Sequence, residues 1–124
     1  MESKILVVED DLESWQLLSA ILRAHRYRPI RAADGVQAMS EARSQRPAAV
    51  LLDLGLPGGD GFVVLERLKG NKLLSSIPVI VVTAQDSQVA ESRAMEHGAV
   101  AFFQKPVKPD ELIATIQGVL EKKG

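Results

Sequence analysis

The sequence predicts a doubly wound α/β domain: a five-stranded parallel sheet with helices on both faces. Three observations predict it. Short apolar runs alternate with longer stretches whose apolar residues recur at helical spacing. The runs are apolar at successive positions rather than at every second one, the pattern of strands buried on both faces. The strand–helix unit then repeats five times along the chain, and strands feeding crossover helices build a parallel sheet.

Lys4-Ile5-Leu6-Val7-Val8 is the first buried strand. Leu12 to His25 follows as a helix, with Trp15, Leu18, Ile21 and Leu22 at helical spacing. Arg28-Pro29-Ile30-Arg31-Ala32 is the second strand; Pro29 has no N–H for a ladder, which assigns this strand to an edge. Asp34 is placed to cap a second helix running to about Gln45. Ala49-Val50-Leu51-Leu52-Asp53 is the third strand, and Phe62, Leu65 and Leu68 mark a third helix ending near Gly70-Asn71. Pro78 to Thr83 is the fourth strand, followed by a helix from near Asp86-Ser87 to His97-Gly98. Val100 to Gln104 is the fifth strand. The last helix opens at Pro109-Asp110-Glu111, with proline in the first turn and acids near the positive helix end. Leu112, Ile113, Ile116, Val119 and Leu120 form its apolar face. The flavodoxin-type strand order 2-1-3-4-5 fits this arrangement best.

Composition bounds what such a domain does. Its 124 residues suit a single domain over 1–124, and 46% apolar with 25% charged residues is ordinary for a globular protein. The net charge of −1 lacks the basic excess that non-specific nucleic-acid or membrane-surface binding needs. With no cysteine, disulfide and thiolate chemistry are excluded. No apolar run approaches the roughly 20 residues of a membrane span, and the start has no signal-peptide layout, so cytoplasm is the expected location.

Ligands of open α/β sheets bind outside the carboxyl ends of the strands. Strand 1 ends in Glu9-Asp10-Asp11, strand 3 in Asp53, strand 4 in Thr83, and strand 5 runs into Lys105-Pro106. Topology thus brings several acids, a hydroxyl and an ammonium to one crevice. Two carboxylates about 4 Å apart repel by roughly 4 kcal/mol at an effective dielectric near 20, so such acids bind protons or a cation. Oxygen-only ligands select a hard cation such as Mg²⁺. The plain alternative is that Glu9 to Asp11 only cap helix 1, and that Asp53 only forms a turn before Gly55 and Pro57. Thr83 taken alone is an ordinary strand residue, and Lys105 taken alone a solvated lysine. Yet a phosphoryl group, with a charge of about −1.5 to −2 and three acceptor oxygens, matches a metal, an ammonium and a hydroxyl together.

These residues resemble a known family over essentially the whole chain. Ile5-Leu6-Val7-Val8-Glu9-Asp10-Asp11 is similar to the first strand and acidic pair of response-regulator receiver domains. Asp53-Leu54-Gly55-Leu56-Pro57-Gly58-Gly59-Asp60-Gly61 resembles their phosphoacceptor loop. Val82-Thr83-Ala84, and Gly98-Ala99 through Lys105-Pro106, complete the set in order. The resemblance implies a phosphoacceptor switch of a two-component or phosphorelay system. Asp53 would be the phosphorylated nucleophile. Asp10, Asp53 and the Gly55 carbonyl would hold Mg²⁺ or Mn²⁺, with Glu9 nearby, through water. Thr83 and Lys105 would bind phosphoryl oxygens, the Lys105–Pro106 peptide would be cis, and Phe102 would be the switch aromatic that follows Thr83. The implied partners are a histidine kinase or histidine phosphotransfer protein and a downstream protein target, with no direct nucleic-acid contact and no membrane insertion. Apart from its own phosphorylation and dephosphorylation, no enzyme activity is implied.

Some positions depart from the family pattern. Glu9 stands where Asp is more frequent, and Gly55 is bare where a larger side chain is common. The longer Glu9 lengthens the reach to the metal, whereas Gly55 and Gln85, two residues after Thr83, bear on how readily water reaches a phosphoryl group. Val100 to Phe103 lacks the acidic pair of many DNA-binding regulators, which puts their dimer mode in doubt. Trp15 is expected at the core edge rather than as a partner's anchor, His25 and His97 as helix caps, and residues 121–124 as a solvated end. The rivals are a pseudo-receiver that binds partners unphosphorylated, a flavodoxin-like cofactor binder, and a small phosphatase. The second needs a phosphate cradle where this chain has three acids. No output domain lies in these residues, so the chain either signals by direct contact or is the receiver of a longer regulator.

Overall fold

Apolar side chains on both faces of a strand require cover on both faces, and the chain supplies it. The computed structural model describes residues 2–56, 61–85 and 88–121. The elements run β1 (Ser3–Val8), α1 (Leu12–Ala24), β2 (Tyr27–Ala32), α2 (Gly35–Gln45), β3 (Ala49–Leu52), α3 (Gly61–Gly70), β4 (Val79–Thr83), α4 (Gln88–Glu96), β5 (Ala101–Gln104) and α5 (Pro109–Glu121). All strands pair in parallel, in the order β2-β1-β3-β4-β5. This is the flavodoxin-type order expected from the sequence.

Side chains of a strand alternate between faces, and the core divides accordingly. Leu6 and Val8 of β1, Val50 and Leu52 of β3, and Val79 and Val81 of β4 pack with α2, α3 and α4. Ile5, Val7, Ala49, Leu51, Ile80 and Val82 face the other way, against Leu18, Ile21 and Leu22 of α1 and Leu112, Ile113 and Ile116 of α5. Trp15 packs half-buried at the rim of this second layer, at the core edge. β2 and β5 are the outer strands, and Pro29 sits on β2 opposite Ile5, at an edge where a missing N–H costs one ladder bond at most.

The helices start and stop on local signals. Asp11 accepts from the Ser14 N–H at the start of α1, and Asp34 from the Gln37 N–H at the start of α2. His25 closes α1, its Nδ1 3.0 Å from the Ile21 carbonyl. His97 follows α4 with Nδ1 2.8 Å from the Arg93 carbonyl and Nε2 3.1 Å from Glu66. Several boundaries differ from the sequence reading by a residue or two: β1 starts at Ser3, β4 starts at Val79, α1 ends at Ala24 and α4 at Glu96. β2 starts at Tyr27, β3 ends at Leu52 so that Asp53 stands just beyond it, and β5 starts at Ala101 with Val100 exposed. The expected start of the fourth helix at Asp86-Ser87, the loop residues Pro57 to Asp60, and residues 122–124 of the tail lie outside the described residues. No helix among the described residues is long and apolar enough to cross a membrane.

Candidate functional site

Parallel strands end on one side of the sheet, and β1, β3, β4 and β5 deliver the residues at or just past their ends to a single crevice. Asp53 leaves β3 with its N–H donating to the Val8 carbonyl at 3.0 Å, which ties it to the end of β1. Its side chain is 12% exposed. Oδ1 accepts from the Thr83 hydroxyl at 2.9 Å and from the Gly55 N–H at 3.0 Å. Oδ2 accepts from Lys105 Nζ at 3.1 Å. Lys105 also donates to Glu9 Oε1, and to Ser14 Oγ at 3.2 Å. Glu9 is 1% exposed, and its Oε2 accepts from the Asp11 N–H at 3.2 Å. The Lys105 N–H donates to the Thr83 carbonyl at 2.8 Å, and the Lys105–Pro106 peptide is cis.

Close packing brings the acid loop under tension of charge rather than of shape. Burial pushes the Asp53 carboxyl up, but the Gly55 N–H, the Lys105 ammonium and the Thr83 hydroxyl outweigh it and hold Asp53 below its usual range. For Glu9 burial wins: with the neighbouring Asp53 charge it raises this carboxyl in spite of Lys105 and the Asp11 N–H. Burial alone would lower Lys105, yet Glu9 and Asp53 together push it above its ordinary value. Asp53 is therefore a carboxylate and Lys105 a cation at neutral pH.

The third acid behaves differently. Asp10 is exposed, and its carboxylate makes no hydrogen bond or ion pair among the described residues. One oxygen each of Glu9, Asp10 and Asp53 lie within 4.8 Å of one another. Three carboxylates against one ammonium leave the cluster with excess negative charge, and the donors are all hard oxygens. That set fits Mg²⁺ or Mn²⁺ and is a poor one for softer metals.

Gly55 is exposed, and a Cβ there would meet Asp53 Oδ1 at 3.7 Å, an ordinary contact. Gly61, at the start of α3, is different: a Cβ would come within 2.5 Å of the Asp53 carbonyl oxygen and of Leu54 Cα. Only a residue without a side chain lets α3 begin this close to the loop. Phe102 of β5 is half-buried against the α2–α3–α4 layer, opposite Val81. The exposed Gln85 donates its N–H to Thr83 Oγ1 at 3.4 Å. Glu9, Asp10, Asp53, Gly55, Thr83 and Lys105 thus share one crevice, and Phe102 stands outside the hydrogen-bonded set. Two participants carried no sequence signal of their own: Ser14, one of many polar helix residues, and Arg31, which donates to the carbonyls of Glu9 and Asp10 from β2.

Comparison with known proteins agrees with this fold. The model of the response regulator receiver domain family matches residues 5–117. The chain is 36% identical over 122 residues to the DNA-binding response regulator MtrA of Mycolicibacterium paratuberculosis, a match covering 98% of this chain and 53% of that protein. It therefore spans about half the length of the curated relatives it matches. Among solved structures it is similar to the receiver domain of the sensor histidine kinase PA1611 from Pseudomonas aeruginosa, which has a magnesium ion coordinated in its active-site cleft. That match has a TM-score of 0.89 and 30% identity, covering 98% of this chain and 99% of the other. A CheY-like response regulator receiver domain protein from Methanospirillum hungatei matches over 100% of both chains, with a TM-score of 0.90 and 28% identity.

Proposed function

The chain belongs to the response regulator receiver domain family of two-component signalling, and on that premise we propose that it is a phosphoacceptor switch whose acceptor is Asp53. One observation carries the reading. The Asp53 carboxylate stands at a strand end with one oxygen held by Thr83 and Gly55, the other by Lys105, and the oxygens of Glu9 and Asp10 beside it.

In this reading a carboxylate oxygen of Asp53 attacks the phosphorus of a phosphohistidine on a kinase or phosphotransfer protein. The new P–O bond forms as the P–N bond breaks, and the imidazole stays with the donor. A low-lying carboxyl keeps Asp53 ionised and ready as the nucleophile. The transition state spreads charge over three equatorial oxygens, so the chain contributes position and electrostatics. The Lys105 ammonium stabilises one of those oxygens, and the Thr83 hydroxyl turns from Asp53 to another. Asp10, Asp53 and the Gly55 carbonyl would hold a divalent cation, which when bound would neutralise phosphoryl charge. Glu9, only 1% exposed and paired with Lys105, is suited to act at one remove, through water.

Once Thr83 is drawn toward the phosphoryl group, Phe102 follows it inward and the surface of α4, β5 and α5 changes. A complete switch takes about 5.5 kcal/mol of differential stabilisation; two or three charge-assisted hydrogen bonds with the metal are of that order. The unit is the single domain 1–124, acting in the cytoplasm on a downstream protein. Its net charge of −1 lacks the basic excess of a non-specific nucleic-acid binder, so the proposed output is a contact with protein.

Intact mass after incubation with acetyl phosphate tests this. The parent chain should gain one phosphoryl group only with Mg²⁺ present, and Asp53→Asn should gain none. A folded parent that gains nothing would mean a pseudo-receiver that signals by binding alone.

A further inference from the structure

The acidic loop is held by a residue that is neither acid nor acceptor. Arg31 lies on the edge strand β2 opposite Val7, and its side chain reaches over the end of β1. Nη2 donates to the Asp10 carbonyl at 3.0 Å, and Nε donates to the Glu9 carbonyl at 3.4 Å. The guanidinium carbon sits 5.9 Å from the centre of the Trp15 ring on α1. A rigid fork that also stacks on an aromatic face is what guanidinium offers and ammonium does not. The Glu9 N–H adds a bond to the Ala32 carbonyl at 2.9 Å, so β2 grips residues 9 and 10 at three backbone atoms.

This grip matters most for Asp10. Glu9 is fixed by Lys105 and Asp11, and Asp53 by Thr83, Gly55 and Lys105. The Asp10 carboxylate has no such partner among the described residues, yet it lies with theirs inside 4.8 Å. What is held of Asp10 is its backbone. We infer that Arg31 is a positioning residue that holds the Asp10 peptide so that its carboxylate stands beside those of Glu9 and Asp53 and can act as a cation ligand. The inference rests on the proposed reading of this cluster as a divalent-cation site.

Two effects of Arg31 oppose each other, so the sign of the change is diagnostic. As a nearby positive charge it repels a divalent cation, and its removal would tighten binding. As a clamp it orders a ligand, and its removal would weaken binding. The clamp should win: the charge is partly open to solvent and screened, whereas outer partners of metal ligands change affinity about 10–100-fold when lost.

The experiment is a Mg²⁺ titration of the whole chain, followed by backbone amide NMR, for the parent, Arg31→Gln and Arg31→Lys, with a thermal melt of each. Arg31→Gln should weaken Mg²⁺ binding about tenfold although it removes a cation. Arg31→Lys, with the charge but not the fork, should fall between. A purely structural role would lower the melting temperature and leave the affinity unmoved. A parent that binds Mg²⁺ while Arg31→Gln binds it equally or more tightly overturns the inference and spares the metal site. A parent that does not respond to Mg²⁺ overturns the metal site and this inference with it. If Arg31→Gln does not fold, Arg31→Lys decides by the same criterion.

Discussion

Lys105→Met removes one ammonium and keeps most of the stem, which isolates what that charge does. In the parent the ammonium bridges Glu9 and Asp53 and reaches Ser14. Without it, two carboxylates with oxygens within 4.8 Å of each other face one another bare. Full charges at that separation repel by about 3.5 kcal/mol at an effective dielectric of 20. Recovering the desolvation of the ammonium, and letting Glu9 take a proton, brings the expected loss of stability at pH 7 to about 2–3 kcal/mol. Glu9 is the group that yields, because it keeps only the Asp11 N–H whereas Asp53 keeps Thr83 and Gly55.

The pH dependence has a definite sign. An acid whose folded pKa is raised loses folding stability as pH climbs from its unfolded value, 4.5 for Glu9, to the folded one. In the variant Glu9 rises further, so that loss deepens toward neutral pH. Asp53 acts in the same sense: its lowered pKa gives the parent stability above 3.8 that disappears on acidification, and the variant lacks the Lys105 share of it. The deficit should thus be full at pH 7, shrink as Glu9 takes up its proton toward 4.5, and close only once Asp53 is protonated, below 3.8. Urea unfolding in EDTA, read by fluorescence of Trp15, the chain's single tryptophan, measures it as a midpoint shift of about 1–2 M. Added Mg²⁺ should restore stability to the variant more than to the parent. Equal stability at pH 7, or a deficit that does not change with pH, would refute the electrostatic account of the crevice.

Two further predictions concern the loops after β3 and β4. Gly55→Asn should fit without strain, since its Cβ meets Asp53 Oδ1 at an ordinary 3.7 Å; it and Gln85→Ala should each change the phosphoryl lifetime, timed by mass after donor removal, and leave Mg²⁺ affinity alone. Unchanged lifetimes in both would sink the idea that these positions govern water access. Gly61→Ala places a Cβ 2.5 Å from two backbone atoms of residues 53 and 54, so a thermal melt should show about 1–3 kcal/mol of destabilisation and phosphorylation by acetyl phosphate should slow.

Much of this protein is determined by local sequence alone. Ile5 to Val8, Ala49 to Leu52 and Val79 to Val82 are apolar at every position, and a strand that must hide both faces can only be central. Pro29 marks an edge because it cannot donate, and Asp34 caps α2 through a bond three residues long. The acids, Thr83 and Lys105 were legible as one site because parallel strands all end on the same side. The sequence left the acids two answers, a proton or a cation. Tertiary structure shows both met in part by the Lys105 ammonium, which follows β5 and lodges between Glu9 and Asp53, the first of these contacts spanning 96 residues of chain. Burial in the sheet then separated the carboxyls, raising Glu9 and lowering Asp53. Neither that split nor the reach of Arg31 and Ser14 into the site follows from local pattern. Both depend on how the strands sit side by side, because solvent exclusion and hydrogen-bond distance belong to the packed chain and not to any one segment of it.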